Sequence, residues 1–114
     1  MSNTYVPDAG DIVWMNLSPT SGHEQSGHRP VLALTPAEYN LKRGLLICCP
    51  ITTRVSGYPF EVEVNTDQIS GVVISDQVKS VDWTARGARP AGKASLEVIL
   101  EVKAKLKALL LIEA

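Results

Sequence analysis

The sequence contains few of the residues that cross-link or anchor a protein. Only Cys48 and Cys49 are cysteines among its 114 residues. Because these two are adjacent, they suit neither a disulfide framework nor a zinc site with four ligands. No apolar run reaches the roughly 18 residues that a transmembrane helix needs, and the first residues lack the charged and apolar regions of a secretory signal. We therefore expect a cytoplasmic protein with free thiols and no membrane partner.

The sequence also has no large excess of positive or negative charge. The 11 Lys and Arg residues nearly cancel the 12 Asp and Glu residues, which leaves a formal net charge of −1. The chain thus lacks the overall cationic field with which sequence-independent nucleic-acid binders attract phosphates. A nucleic-acid function must therefore use a local patch, and residues 84–94, which hold Arg86, Arg89 and Lys93 but no acid, form one cationic segment.

Gly and Pro separate a series of short apolar segments that are rich in β-forming residues. Five or six strands are predicted, within residues 11–17, 31–35, 45–53, 59–64, 72–75 and 78–83. Pro50 interrupts the third segment, and because proline cannot donate to a ladder it marks an edge strand or a bulge. With no repeat or linker, the pattern predicts one mainly β domain over residues 1–114, either a small barrel or a sandwich.

The apolar period changes over about the last twenty residues. Ser95 is a good N-cap, and Glu97 stands in the first turn that follows it. The apolar residues that recur at helical spacing are Val98, Ile99, Val102, Leu106, Leu109 and Leu110. We expect an amphipathic helix of roughly four turns, packed on the β-domain or on a partner subunit.

Several kinds of chemistry have no signature in the sequence. The HxxxH and HExxH metal motifs, the GxSxG nucleophile elbow and the GxxxxGK[ST] phosphate loop are all missing. We therefore expect no metal, no cofactor, no ATP hydrolysis and no serine-hydrolase chemistry. A polar loop at residues 18–30 carries both histidines, and loops of this length in a compact domain are usually functional or disordered.

RNA cleavage is a chemistry that needs no metal, because RNA carries its own nucleophile. A 2′-hydroxyl can attack the adjacent phosphate if one group takes its proton, another protonates the leaving 5′-oxygen and a cation stabilises the added negative charge. The guanidinium of Arg29 suits the last task, and Thr52 could donate a hydroxyl beside it. Glu24 or His28 could serve as the base.

Five blocks of sequence, in the same order along the chain, resemble the MazF/PemK (Kid) toxins of toxin–antitoxin pairs. They are Tyr5-Val6-Pro7-Asp8-Ala9-Gly10-Asp11, Gly22-His23-Glu24-Gln25-Ser26-Gly27-His28-Arg29-Pro30, Pro50-Ile51-Thr52-Thr53, Gly57-Tyr58-Pro59-Phe60-Glu61-Val62 and Asp76-Gln77-Val78-Lys79-Ser80. The resemblance implies an SH3-like β-barrel with a C-terminal amphipathic helix, assembled as a homodimer. It also implies a metal-independent endoribonuclease that cuts single-stranded RNA at a short sequence, leaving a 2′,3′-cyclic phosphate and a 5′-hydroxyl.

The family roles carry over to matching residues. The resemblance implies that Arg29 is the main catalytic group, that Thr52 stabilises the transition state and that Glu24 is a nearby acid or base. The candidate substrate-binding residues are His28, Arg54, Asp76, Gln77, Lys79 and Arg86. Residues 54–56 depart from the family pattern in the loop that relatives use to select bases, so the cleavage sequence does not transfer.

The resemblance also implies a partner. A cognate MazE-like antitoxin would inhibit the toxin by placing an acidic, extended tail in the RNA groove. Two other functions are compatible with a barrel of this kind: a CcdB-like toxin that poisons DNA gyrase by binding alone, and a degenerate toxin that only binds its antitoxin. Neither of them needs Arg29 together with Thr52.

Overall fold

The computed structural model describes residues 5–18, 22–23 and 27–113. Within those ranges the chain forms seven strands and two α-helices, with a short 3₁₀ turn at Trp83–Ala85. The strands are β1 (Asp11–Asn16), β2 (His28–Ala33), β3 (Leu45–Thr52), β4 (Glu61–Asn65), β5 (Ser70–Ile74), β6 (Lys79–Asp82) and β7 (Arg89–Lys93). The helices are α1 (Ala37–Arg43) and α2 (Leu96–Leu109). The predicted mainly β fold with a C-terminal helix is confirmed.

All strand pairs are antiparallel, in the order β4-β5-β3-β2-β1-β7, with β6 also pairing with β3. The sheet curls into a half-barrel with a hydrophobic cluster on each face. On what we call the first face, Ile12, Leu32 and Ile51 pack beneath Val102 of α2. On the second face, Met15 and Val31 pack with neighbouring strand residues. Successive strand residues alternate between these two faces, which decides where each polar side chain lies.

The third strand departs from the expectation at Pro50. β3 runs through this residue without interruption and lies inside the sheet, so the expected edge strand or bulge is wrong. One edge of β3 pairs with β6 over Leu45–Cys48 and then with β5 over Ile51–Thr52. Pro50 falls between the segment that pairs with β6 and the segment that pairs with β5. On that edge of β3 no ladder hydrogen bond is lost, although proline has no N–H group.

The C-terminal helix begins where the capping pattern places it. The side chain of Ser95 accepts a hydrogen bond from the backbone N–H of Val98 at 3.3 Å, which confirms the predicted N-cap. Val102 is fully buried, and Val98 and Leu106 pack beside it against the first-face cluster. The 14 residues of α2 match the predicted length of about four turns. No helix of the described residues is long and apolar enough to cross a membrane.

Two elements were not expected from the sequence. α1 has only seven residues, and it ends at Gly44, whose φ of 68° favours glycine. β7 has the sequence Arg-Pro-Ala-Gly-Lys, in which Ala91 alone is buried, so no alternating apolar pattern announces a strand. It forms because β1 supplies its hydrogen-bond partners, and its position at the edge of the sheet tolerates proline.

Candidate active site

Two central strands bring Arg29 and Thr52 to the same end of the sheet. The pairing of β2 with β3 ends at Val31 and Pro50, and Arg29 and Thr52 each stand two residues beyond that last pair. Both side chains belong to the second face, because each stands two residues from a member of that pair. Arg29 and Thr52 also line one depression of about 230 Å³ at the end of the sheet where β2 begins and β3 ends.

The hydroxyl of Thr52 has a defined direction of hydrogen bonding. Thr52 is only 6% exposed, and its Oγ1 accepts a hydrogen bond at 3.2 Å from the backbone N–H of Arg54. A hydroxyl carries one proton and two acceptor lone pairs, so this contact leaves the proton available for donation. Thr52 can therefore donate to an anionic group that binds beside Arg29.

A second depression of about 310 Å³ adjoins the first and shares Thr52 as a lining residue. Arg54, Asp76, Gln77 and Tyr58 also line it. The Oδ1 atom of Asp76 is buried and has no hydrogen-bond partner among the described residues, which is uncommon in folded proteins. The negative charge of Asp76 and its hydrogen bond with Tyr58 raise the pKa of the Tyr58 phenol. This depression thus offers a cation, an amide and a carboxylate within reach of Thr52.

Gln77 links this depression to the loop that precedes β2. Its side-chain Nε2 donates a hydrogen bond at 3.2 Å to the backbone carbonyl of His23. Glu24, the predicted acid or base, lies outside the described residues. Residue 23 is the described position next to it, so Gln77 connects the Asp76 depression to the segment that carries Glu24.

His28 lines the same depression as Arg29 but approaches it from the other face of β2. The two are neighbours on β2, and alternation directs their side chains to opposite faces of the sheet. His28 stacks on Trp14, with ring centroids 5.6 Å apart and planes 13° from parallel. Trp14 itself packs against the first-face cluster. The structure therefore brings Arg29, Thr52 and His28 to the lining of one depression, where the His28 ring lies against Trp14.

The other two predicted cations occupy different positions. Lys79 pairs with Cys48, so it shares the second face with Thr52, four residues further along β3. Arg86 donates hydrogen bonds from its guanidinium to the carbonyls of Asn16, at 2.9 Å, and Ser18, at 3.3 Å. It thereby fixes the segment that leads into the 18–30 loop, and it does not line either depression beside Thr52.

Burial controls the chemistry of the two thiols. Cys48 and Cys49 are free and buried, and desolvation raises the pKa of each to about 12. The positive charges of Lys79 and Arg86 oppose that rise at Cys48 but do not cancel it. Both thiols therefore stay protonated and inert at neutral pH. Among the residues that the structure describes, no group of three His, Cys, Asp or Glu side chains is arranged to hold a metal ion.

Sequence reasoning missed the residues that shape the loop after β3. The Glu61 carboxylate accepts hydrogen bonds from the Ser56 hydroxyl at 2.6 Å and from the Gly57 backbone N–H at 2.9 Å. These bonds, the one from Ser56 first, lower the pKa of Glu61. The alternation of residues 59–64 identified Glu61 only as an exposed strand residue, and nothing in that pattern signals a carboxylate that holds a loop.

Fold and site together define a small curled-sheet protein whose central strands carry an arginine and a threonine to one depression. A sequence profile for the PemK-like, MazF-like toxins of type II toxin–antitoxin systems matches residues 8–110, and the chain belongs to this family. The resemblance predicted from the five sequence blocks is therefore confirmed.

Individual relatives agree with this assignment. The chain is 46% identical over 110 residues to the endoribonuclease toxin MazF of Escherichia coli (strain K12), covering 96% of this chain and 99% of the relative. Its structure superposes on crystalline MazF of Deinococcus radiodurans with a TM-score of 0.92 and 48% identity, covering 96% of this chain and 100% of the other. A MazE–MazF complex of D. radiodurans matches with a TM-score of 0.86 and 43% identity, over 96% and 100% of the chains.

Proposed function

We propose that this protein is the toxin of a type II toxin–antitoxin system and an endoribonuclease that cleaves single-stranded RNA, with mRNA as its cellular target. The observation that carries the proposal is that Arg29 and Thr52 line one depression, which meets a second depression at Thr52. Family membership and the endoribonuclease names of the relatives support it. Translation and growth would stop as messages are cut.

The proposed reaction uses the substrate's own 2′-hydroxyl. Its oxygen attacks the adjacent phosphorus, the new O2′–P bond forms and the P–O5′ bond breaks, which yields a 2′,3′-cyclic phosphate and a 5′-hydroxyl. Arg29 contributes a fixed positive charge and paired N–H donors to the phosphate oxygens, whose negative charge grows in the transition state. Thr52 donates a hydrogen bond from its hydroxyl group to the same phosphate. No step of this scheme needs a metal or a cofactor.

The two proton transfers need an acid and a base. We assign Glu24 the removal of the 2′-hydroxyl proton, since it is a carboxylate five residues before Arg29 in the sequence. The proton gained there can be returned to the departing 5′-oxygen, so that charge and protons balance over the reaction.

The depression lined by Arg54, Asp76 and Gln77 is the proposed site for a base beside the scissile phosphate. A carboxylate accepts from base amino groups, and the amide can donate or accept, so this set reads base edges. Lys79 on the same face attracts the phosphates of the strand. We assign Arg86 an indirect part in binding, because it fixes the start of the 18–30 loop.

We further propose that the toxin works in the cytoplasm as a homodimer and is inhibited by a MazE-like antitoxin. The similarity to toxins that were crystallised with MazE supports this partner. An acidic antitoxin tail would compete with RNA for the cationic groups beside Thr52. The complex of toxin and antitoxin would in turn bind DNA.

The test is cleavage of an unstructured RNA by purified protein in excess EDTA. We expect the wild type to cut, Arg29→Ala to lose at least about a thousandfold in rate, and Arg43→Ala, which removes an equal charge from the end of α1, to cut normally. Persistent cutting by Arg29→Ala would remove that residue from the mechanism. Inactivity of the wild type on RNA, with inhibition of gyrase supercoiling, would favour the CcdB-like alternative.

A further inference from the structure

Three strands contribute one side chain each to a cluster on the first face of the sheet. Trp14 of β1 pairs with Pro30 on one side and with Arg89 of β7 on the other. His28 stands two residues before Pro30 on β2, so its side chain is on the same face as Trp14 and Arg89. The His28 ring is stacked flat on the indole, which leaves the ring nitrogens at its edge.

One of those nitrogens is in contact with Arg89. The guanidinium Nη2 of Arg89 is 3.3 Å from Nε2 of His28. A guanidinium has five N–H donors and no acceptor, and it does not lose a proton at ordinary pH. The hydrogen bond can therefore form only if Nε2 carries a lone pair. The single proton of the neutral ring must then be on Nδ1.

We propose that Arg89 is a positioning residue that fixes His28 as the neutral Nδ1–H tautomer, so that His28 binds substrate and does not take the 2′-hydroxyl proton. The second part rests on the proposed function. A free imidazole more often carries its proton on Nε2, so Arg89 reverses the ordinary preference. With the Nε2 lone pair of His28 held by Arg89, we assign the base to Glu24.

The proton accounting excludes His28 as a base in this arrangement. Its Nε2 lone pair is already used by Arg89, and its Nδ1 already holds a proton. What His28 still offers is the Nδ1–H donor and a flat face, which are the attributes of a group that binds an acceptor oxygen or a base.

The position of His28 suits a binding role. His28 lines the same depression of about 230 Å³ as Arg29 and Thr52. An RNA whose phosphate is held by Arg29 therefore passes within reach of the His28 ring.

The direct test is the tautomer of His28 in the full-length protein without substrate. Two-bond ¹H–¹⁵N correlation spectra are recorded well above the ordinary histidine pKa of about 6.5. We expect Nε2 of His28 to show the shift of an unprotonated nitrogen in the wild type and in Arg89→Lys, which keeps a cationic donor. In Arg89→Ala it should shift to the protonated form.

Two internal controls accompany that measurement. His23, the other histidine, should give the same spectrum in all variants, and Arg43→Ala should leave His28 unchanged. A wild-type His28 with a protonated Nε2, or an Arg89→Ala spectrum identical to the wild type, would overturn the assignment. This readout needs no cleavage, so the positioning role stands or fails separately from the proposed function.

The second part of the proposal is tested by His28→Phe, which keeps a flat ring for Trp14 but has no nitrogen. We expect KM for RNA to rise several-fold while kcat falls by less than about tenfold, because a lost binding group weakens association more than chemistry. Removing a true base costs about a hundredfold or more in kcat. A kcat loss of that size in His28→Phe, with RNA saturating, would overturn the binding role.

Discussion

Replacing Thr52 by valine separates the hydroxyl from the rest of the side chain. Valine keeps the branched shape and suits a strand, so the substitution removes one O–H and adds little strain at a residue that is 6% exposed. If the account is right, the lost group is a donor to phosphate oxygens that gain charge in the transition state. If Thr52 is only a strand residue, the rate of RNA cleavage should hardly change.

The expected size of the effect follows from the contacts of Thr52. Removing one donor to a developing oxyanion costs about a hundredfold to a thousandfold in rate, and because Arg29 remains we expect about a hundredfold in kcat. On the folded protein, Thr52→Val removes only the acceptor for the Arg54 backbone N–H at 3.2 Å. Arg54 is exposed and water can replace that bond, so stability should fall by no more than about 1 kcal/mol. The melting temperature should then drop by about 4 °C.

The assay compares single-turnover cleavage of one labelled RNA with thermal unfolding of the same preparations. Thr52→Ser, which keeps the hydroxyl, should recover most of the rate. Thr84→Val makes the same chemical change at an exposed residue that lines neither depression beside Thr52, and we expect less than a threefold effect. If Thr52→Val and Thr84→Val cut at similar rates, the hydroxyl of Thr52 has no part in the reaction, and the mechanism proposed for it is wrong.

Other expectations test the surroundings of the site. Gly71 packs so closely on the Thr52 carbonyl that an added Cβ would clash, so Gly71→Ala should destabilise the protein by about 2 kcal/mol in chemical denaturation and slow cleavage; wild-type stability would refute the contact. Glu61→Gln should raise KM and loosen base preference when cleavage sites are mapped, whereas Glu63→Gln, on the same exposed face of β4, should not. Since the Glu61 pKa is lowered, its hold on the loop is complete above the unfolded value of 4.5 and is lost as pH falls through the lower folded pKa; loop chemical shifts followed by NMR should be constant from neutral pH to about 5 and change only in more acidic solution. The buried thiols at Cys48–Cys49 should resist alkylation until the protein unfolds, and rapid labelling of the native protein would contradict their burial. Binding of an acidic antitoxin tail should weaken steeply with salt, and a flat dependence would exclude charge as its basis.

Local sequence patterns predicted much of the fold for identifiable reasons. The strands at β1 and β4 and the start of α2 each combine a period with a boundary residue, and Ser95 caps α2 as expected. β7 was missed because its pairing partner is distant in sequence and its own residues carry no apolar period. The prediction at Pro50 was wrong because β3 changes its partner strand there, from β6 to β5. The strand can therefore accommodate a proline, and no local sequence pattern shows this change of partner.

The candidate site was predictable in part for the same reasons. Arg29 and Thr52 were identified from residue chemistry and family resemblance, and both line one depression at the end of the sheet. His28, a candidate from the same segment of sequence, lines that depression as well. Its place on β2 was not foreseen, because the sequence pattern began the strand at Val31. Tyr58 and Glu61 act through a loop whose shape depends on their mutual contacts and could not be foreseen.

The most direct test of the account concerns the substrate. At a cleavage site mapped with the wild-type protein, an RNA is made in which only the nucleotide that donates the scissile 2′-hydroxyl is replaced by its 2′-deoxy form. We expect this RNA to bind with similar affinity and to remain uncut in EDTA, while the unmodified RNA yields a 2′,3′-cyclic phosphate. Cleavage of the 2′-deoxy RNA at the same bond would show that an external nucleophile attacks the phosphorus. That result would contradict the mechanism proposed for Arg29 and Thr52.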